Sequence, residues 1–139
     1  MILDTSALVA ILADEEESEF LLTTALAATH LRMSAATALE ASIVLDSRSS
    51  PQQRRRLDDL LETLEVEIVP FDAKQWSLAR EAYRDFGKGS SHPARLNMGD
   101  CYAYALHRAT GEELLFVGDD FARAGLTRPG AEEFPPADR

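Results

Sequence analysis

The sequence predicts an α/β fold in which helices cover a short parallel sheet. Two observations support this prediction. Short apolar segments alternate along the chain with longer segments whose apolar residues recur at helical spacing, and strands that alternate with helices in this way form parallel sheets. The chain of 139 residues, of which 45% are hydrophobic, also fits a single domain with its own packed core.

The first third of the chain predicts two strands and three helices. An apolar strand occupies residues 1–3, and the segment 7–12 has the apolar spacing of a helix. The segment 14–29 opens with acids, which the helix dipole favours in a first turn, and we predict a helix there. We predict a short second strand over 31–34 and an alanine-rich helix over 35–46.

The middle of the chain has stronger boundary signals. A proline stands at the first position of a predicted helix over 51–64. Residues 66–69 alternate like a strand that stops at a proline, and Asp72 then caps a predicted helix over 73–86. Residues 87–97 form the only long stretch rich in glycine, serine and proline, so we predict a loop of the kind that often carries function.

The last part of the chain predicts two helices around a buried strand. A glycine opens the helix over 99–108, and the apolar residues 114–117 form the strand. A tight acidic turn leads from that strand into a short helix over 121–124. We expect a brief edge strand near 126–127. The whole chain shows no internal repeat.

The net charge of −10 argues against a protein that binds nucleic acid through a broad basic surface. It leaves a nuclease open, because a metal ion bound among carboxylates reverses the local field, and it suits a basic partner segment. The single cysteine, Cys101, excludes an intramolecular disulfide and disfavours a structural zinc site. No apolar run approaches the roughly 20 residues of a membrane span. Nor does a basic leader precede the first strand, so we expect a cytoplasmic protein without membrane contact.

Four acidic positions stand at predicted junctions between strands and helices, where ligand sites of open α/β sheets form. These positions are Asp4, Glu40, Asp100 and the pair Asp119 and Asp120. Two carboxylates about 5 Å apart repel by roughly 3 kcal/mol at an effective dielectric near 20, so a converging group of acids requires protonation or a cation. All-oxygen coordination suits Mg²⁺ or Mn²⁺. The pattern therefore predicts a carboxylate cage for a hard divalent cation.

Each acid also has a purely structural interpretation. Asp4 and Asp100 can be helix caps, Glu40 can be a solvated surface residue, and the acidic pair can be turn residues. The two hydroxyl residues that follow Asp4 can cap the first helix or donate hydrogen bonds to a bound water or a substrate phosphate. The joint arrangement of the acids after successive strands favours the metal site. For the remaining candidates we favour structural roles: His30, His92, Cys101, Tyr104, His107 and the run from Arg54 to Arg56.

Three segments together resemble the PIN-domain family, and within it the toxin ribonucleases of VapBC toxin–antitoxin pairs: MILDTSALVAIL, SAATALEAS and LNMGDCYAYALHRATGEELLFVGDDFARAGL. The start motif is highly specific in combination with the GDCYAYAL segment and the LLFVGDDF strand and turn. The resemblance implies a three-layer α/β/α sandwich with a short parallel sheet. It also implies a nuclease domain over residues 1–128, which leaves 129–139 as a proline-rich acidic tail.

The resemblance implies a Mg²⁺-dependent endoribonuclease, with Mn²⁺ as a substitute, and its site residues carry over by position. Asp4 and Asp100 look like the principal metal ligands, Glu40 like the third acid, and Asp119 like the fourth, which is usually weaker or water-mediated. The doubled acid leaves Asp120 as an alternative. We favour Asp119, with Asp120 then capping the short helix. The family further implies a homodimer, an RNA substrate and a cognate VapB-like antitoxin, usually encoded beside the toxin.

Three alternatives stay open. A PIN-like RNA-processing nuclease without an antitoxin would use the same acids, and a non-catalytic acidic binding module would use them as caps. A phosphoacceptor receiver domain is also α/β, but it expects paired acids after its first strand and a lysine late in the chain. Here Asp4 is single, and the last lysine, Lys88, precedes the final predicted strand.

Overall fold

The structure, a computed structural model, describes residues 1–48 and 50–130, in which the chain forms four strands and seven helices. The strands are β1 Ile2–Leu3, β2 Arg32–Ser34, β3 Glu67–Val69 and β4 Leu114–Leu115. The helices are α1 Thr5–Leu12, α2 Ser18–Ala27, α3 Ala35–Arg48, α4 Pro51–Thr63, α5 Ala73–Phe86, α6 Met98–Thr110 and α7 Asp120–Arg123. None of the helices in the described residues combines the length and the hydropathy that crossing a bilayer requires.

The four strands run parallel in one sheet, in the order β3-β2-β1-β4. Ile2 in β1 lies opposite Arg32 in β2 and opposite Leu114 in β4, which sets the register at the centre of the sheet. The chain moves from β1 outward to β3 and then returns to add β4 on the other side of β1. Ligand crevices form at such a change of direction, outside the carboxyl ends of the strands, and Asp4 follows β1 there.

Helices cover both faces of the sheet because successive strand residues point to opposite sides. Ile2 and Leu114 belong to a buried cluster with α5 and α6, whereas Leu3 and Leu115 belong to a second cluster with α1, α2, α3 and α4. All four side chains are at most 1% exposed. Burial on both faces accounts for the continuous apolar character of these strands. The arrangement confirms the predicted three-layer α/β/α sandwich.

Two predicted elements, the helix over 14–29 and the edge strand near 126–127, differ from the structure because of the local backbone conformation. The helix predicted over 14–29 begins only at Ser18, because Asp14 adopts a left-handed conformation with a φ of 52° and interrupts the helical path. The edge strand predicted near 126–127 does not form. The backbone N–H of its first residue instead donates to the Phe121 carbonyl oxygen and closes the turn after α7.

The last strand is also shorter than predicted. The prediction covers 114–117, but β4 ends at Leu115, and the backbone N–H of Val117 donates to the Ser6 hydroxyl instead of a neighbouring strand. Of the predicted tail over 129–139, all but the first two residues lie outside the described residues. The boundary between domain and tail therefore stays a prediction.

Candidate functional site

Asp4 connects the central strand to the first helix and to the neighbouring strand. Its backbone N–H donates to the Leu115 carbonyl at 3.1 Å, and its side chain caps α1. Both capping bonds reach one oxygen, since Oδ2 accepts from the Ser6 backbone N–H at 3.0 Å and from the Ser6 hydroxyl at 2.6 Å. The same hydroxyl accepts from the Val117 N–H at 3.0 Å. Ser6 thus fixes the carboxylate, which is 3% exposed, between the ends of β1 and β4.

Glu40 projects from α3 and contacts both α1 and α6. Its Oε1 accepts a hydrogen bond of 2.6 Å from the Thr5 hydroxyl in α1. Its Oε2 lies so close to Gly99 in α6 that it would overlap a Cβ atom built on that glycine. These two contacts hold the half-buried carboxylate between helices that are distant in sequence.

Asp100 lies in the first turn of α6, where a capping box holds it. The side-chain Oδ1 of Asn97 accepts from the Asp100 N–H at 2.8 Å, and Asp100 Oδ2 accepts from the Asn97 N–H at 2.9 Å. Asn97 is therefore the N-cap, and Asp100 occupies the third helical position. The end of the preceding loop thus fixes the direction of the Asp100 carboxylate.

Glu40 contacts the sequence neighbours of both Asp4 and Asp100, which brings the three acids into one region, and their charges act on one another. Burial raises the pKa of Asp4 to about 6, hydrogen bonds oppose the rise, and the charges of Asp100 and Glu40 add to it. Burial also raises the pKa of Asp100. The charges of Asp120 and Glu40 add to that rise, whereas a backbone hydrogen bond and the charge of Lys88 oppose it.

Each of the three acids has one oxygen that the described protein groups do not use. Among residues 1–48 and 50–130, no hydrogen bond reaches Asp4 Oδ1, Glu40 Oε2 or Asp100 Oδ1. In the same residues, no group of three His, Cys, Asp or Glu side chains is arranged to hold a metal ion directly. Repulsion between the carboxylates opposes their close approach, and a bound cation would remove that repulsion. The all-oxygen donors fit Mg²⁺, which binds through one or two carboxylates together with water.

The two acids after β4 have different surroundings. The Asp119 side chain is 79% exposed, and its carboxylate lies 3.7 Å from the Arg123 guanidinium. Asp120 is the first residue of α7, and its charge adds to the raised pKa of Asp100. The expectation that Asp120 caps this helix is wrong, because Asp119 occupies the cap position, without a side-chain capping bond. The choice of Asp119 as the fourth acid stays a prediction; of the two acids, only Asp120 contributes its charge to the raised pKa of Asp100.

Other chemically capable residues have structural surroundings. Tyr104 is buried and packs against Phe86 and His107. The Nδ1 atom of His107 lies 2.6 Å from the Glu112 carbonyl oxygen. Burial raises the pKa of the Cys101 thiol to about 11, with a contribution from the neighbouring carboxylate. That thiol therefore stays protonated at neutral pH and behaves as a small apolar side chain.

The motifs do not reveal the roles of three contributors to the site: Lys88, Asn97 and Gly99. Asn97 has a local signal, because it stands three residues before Asp100, which is the spacing of a capping box. Lys88 lies in the predicted loop, and its position in the sequence does not reveal that its charge acts on Asp100. The sequence predicts that Gly99 opens the helix, but α6 begins at Met98, and the contact of Gly99 with Glu40 has no local signal because it depends on the packing of α3 against α6.

A family model described as PIN domain matches residues 1–126. The chain belongs to the PIN-domain family. Ribonuclease VapC28 of Mycobacterium tuberculosis is 48% identical over 128 residues, which cover 92% of this chain and 96% of that protein. Ribonuclease VapC of Mycolicibacterium smegmatis is 49% identical over 122 residues, which cover 87% of this chain and 93% of that protein. These relatives confirm the resemblance to VapC ribonucleases that the motifs predict.

Two solved structures share the fold. VapC20 of Mycobacterium tuberculosis, a toxin that cleaves the sarcin–ricin loop, matches with a TM-score of 0.72 at 19% identity, over 92% of this chain and 98% of that chain. A chain of a toxin–antitoxin complex from Klebsiella pneumoniae matches with a TM-score of 0.66 at 17% identity, over 87% of this chain and 89% of that chain. At this level of identity the two structures confirm the fold alone.

Proposed function

We propose that the protein is a Mg²⁺-dependent endoribonuclease that acts in the cytoplasm as the toxin of a type II toxin–antitoxin pair. The main support is that Asp4, Glu40 and Asp100 share one region. Each has one oxygen held by the protein and leaves the other without a hydrogen bond from the described residues. The names of ribonucleases that are 48% and 49% identical support RNA as the substrate. We propose single-stranded regions of structured RNA as the target.

In this mechanism Asp4 and Asp100 hold the cation, because each has an oxygen to spare beside the one that is hydrogen-bonded. When bound, the cation supplies positive charge that offsets the negative charge developing on the phosphodiester. Glu40, whose Oε1 the Thr5 hydroxyl holds, orients the attacking water and accepts its proton while the P–O bond to one sugar oxygen breaks, and that departing oxygen takes a proton from solvent. Lys88, an exposed cation whose charge acts on Asp100, contacts a phosphate of the RNA backbone.

We propose Asp120 as the fourth acid of the site, with Asp119 as the alternative. The charge of Asp120 adds to the negative field at Asp100. Asp119 instead forms an ion pair with Arg123 of α7, which offsets its charge. A peripheral carboxylate in this position increases the attraction for the cation without itself being a ligand.

Ribonuclease assays on purified protein test the proposal. Asp4→Asn and Asp100→Asn should abolish cleavage while preserving the fold, and Asp72→Asn, which alters an acid at the cap of α5, should cleave normally. Chelation should stop wild-type cleavage, and Mg²⁺ or Mn²⁺ should restore it. Ca²⁺ should bind without supporting full activity, because its geometry is looser. Wild-type cleavage by either folded site variant at saturating Mg²⁺, or cleavage that persists after exhaustive chelation, would contradict the proposal.

We propose a cognate antitoxin that places a basic segment across the acids. The net charge of −10, together with acids at the strand ends, supports such complementarity. The product of the neighbouring gene should bind the protein and inhibit cleavage. A tight complex with unchanged cleavage would place the antitoxin away from the acids. If the protein cleaves RNA but the product of the neighbouring gene does not bind it, the RNA-processing alternative is favoured. If the protein binds metal but cleaves no RNA, the non-catalytic module is favoured.

We propose that the protein forms a homodimer through an apolar patch beside the acids, made of Leu39, Ile43, Trp76 and Met98. All four side chains are exposed. Leu39 and Ile43 stand four residues apart on α3 and flank Glu40, and Met98 precedes the glycine that Glu40 contacts. Met98 and Trp76 line one groove between α5 and α6. Grouped exposed apolar side chains mark interfaces, and a twofold dimer pairs such a patch with itself.

A further inference from the structure

Gly99 stands where the local backbone gives no reason for glycine. It lies in the first turn of α6, Met98–Thr110, and its φ is not in the left-handed region that favours glycine. Alanine is more favourable than glycine within a helix. The backbone at position 99 therefore accepts alanine, and the helix alone would favour it.

The contact with Glu40 supplies a reason. A Cβ atom built on Gly99 would overlap Glu40 Oε2 and would lie 2.5 Å from Cδ and 2.8 Å from Oε1. The carboxylate thus occupies the space that any other residue would fill with its own side chain. All three atoms belong to the far end of a flexible side chain. Alanine would therefore displace the carboxylate and leave the backbone of α6 in place.

We propose that Gly99 is a positioning residue that admits the Glu40 carboxylate to the acid site. The Thr5 hydroxyl holds Oε1 on the side of α1, and the missing side chain at position 99 makes room for Oε2 on the side of α6. The first turn of α6 therefore supplies both Asp100 and the space for Glu40. The inference rests on the proposed function, because the Glu40 charge adds to the negative field at Asp4 and Asp100, so displacing that carboxylate weakens the binding of the cation.

Mn²⁺ binding, followed by electron paramagnetic resonance of the free ion, tests this role independently of cleavage. Gly99→Ala should weaken Mn²⁺ binding roughly tenfold or more, the usual loss when a group that orients a metal site is removed. Its unfolding temperature should match or exceed that of the wild type. Gly89→Ala is the matched control, because a Cβ there would meet Tyr83 at an ordinary 3.8 Å, and it should bind Mn²⁺ like the wild type.

A double variant separates positioning from a general disturbance of α6. If Gly99 acts through Glu40, adding Gly99→Ala to Glu40→Ala should cause no further loss of Mn²⁺ affinity. Wild-type Mn²⁺ affinity in Gly99→Ala, or losses that multiply in the double variant, would overturn the inference and leave the proposed function intact. A wild type that binds no Mn²⁺ would overturn both.

Discussion

At the residue scale, Asp4 is both the cap of α1 and an ionisable group that is 3% exposed. Its pKa in the folded protein, about 6, lies above the ordinary 3.8 because burial disfavours the charge, with help from the neighbouring acids. The folded state therefore binds this proton more tightly than the unfolded state does. The free energy of unfolding is unaffected below pH 3.8 and falls as the pH rises from there through 6.

We predict that metal-free Asp4→Asn is more stable than the wild type at pH 7 and that this gain disappears towards pH 4. Asparagine keeps a capping oxygen but carries no charge. The pKa change from 3.8 to about 6 corresponds to on the order of 3 kcal/mol at pH 7. Thermal unfolding of both proteins with a chelator, between pH 4 and pH 8, measures the difference. A difference that does not vary with pH would contradict the argument. With saturating Mg²⁺ the wild type should become the more stable of the two proteins, since a bound ligand stabilises the folded state that binds it.

The two acids after β4 give a second prediction at this scale. Asp120→Asn should raise the Mg²⁺ concentration needed for half-maximal cleavage, because the Asp120 charge acts on Asp100. Asp119→Asn should have the smaller effect, because that carboxylate is exposed and faces Arg123. Parallel Mg²⁺ titrations of cleavage by the two variants make the comparison. A larger effect in Asp119→Asn would support the assignment that the sequence alone favours.

The acids themselves follow from the sequence, but their surroundings do not. Asp4, Glu40 and Asp100 stand out because each is a charged residue near the start of an apolar helix. The sequence does not say which oxygen of each carboxylate is held. That depends on tertiary contacts such as the hydrogen bond from the Thr5 hydroxyl to Glu40 and the bond from the Val117 N–H to the Ser6 hydroxyl.

At the scale of elements, boundaries set by local caps follow from the sequence. Helix α5, Ala73–Phe86, has the predicted bounds, because Asp72 caps its start and Gly87 follows its end. Strand β4 ends earlier than predicted, because a hydroxyl from α1 takes the N–H of Val117. A boundary determined by a group from a distant element has no local pattern in the sequence.

The caps of α5 and α6 provide a matched pair of variants. Asn97→Ala removes the bond to the Asp100 N–H and should lower the free energy of unfolding by about 1 kcal/mol. It should also weaken Mg²⁺ binding, because the remaining half of the capping box, the bond from the backbone N–H of residue 97 to the Asp100 carboxylate, loses the side-chain bond that reinforces it. Asp72→Ala removes the equivalent bond of 2.9 Å to the Gln75 N–H and should destabilise the protein similarly, with Mg²⁺ binding unchanged. Urea denaturation and calorimetric titration measure the two effects. Equal Mg²⁺ affinities would show that the capping box does not position Asp100.

At the scale of the whole molecule, the layers follow from the alternation of strands and helices, but the strand order does not. Local patterns do not reveal that β4 pairs with β1 instead of with β3. This order brings the acids that follow β4 to the same edge as Asp4, and it brings α6, which precedes β4, against both β1 and α3. The convergence of acids from distant segments is therefore a property of the topology.

The apolar patch defines a last prediction, that the protein is a dimer and that Ile43→Glu makes it monomeric. A charge placed in an apolar interface is costly to desolvate. Leu26→Glu is the control, because it puts the same charge on an exposed leucine of α2, a helix whose main contact is α1 and not a helix of the patch. Sedimentation velocity measures the mass of each protein, and a monomeric wild type or an unaffected Ile43→Glu dimer would contradict the assignment of the patch as the dimer interface.

The monomeric variant should still bind Mn²⁺, because one chain supplies Asp4, Glu40 and Asp100. If it binds Mn²⁺ but cleaves RNA more slowly, the second copy contributes to holding the RNA and not to holding the cation.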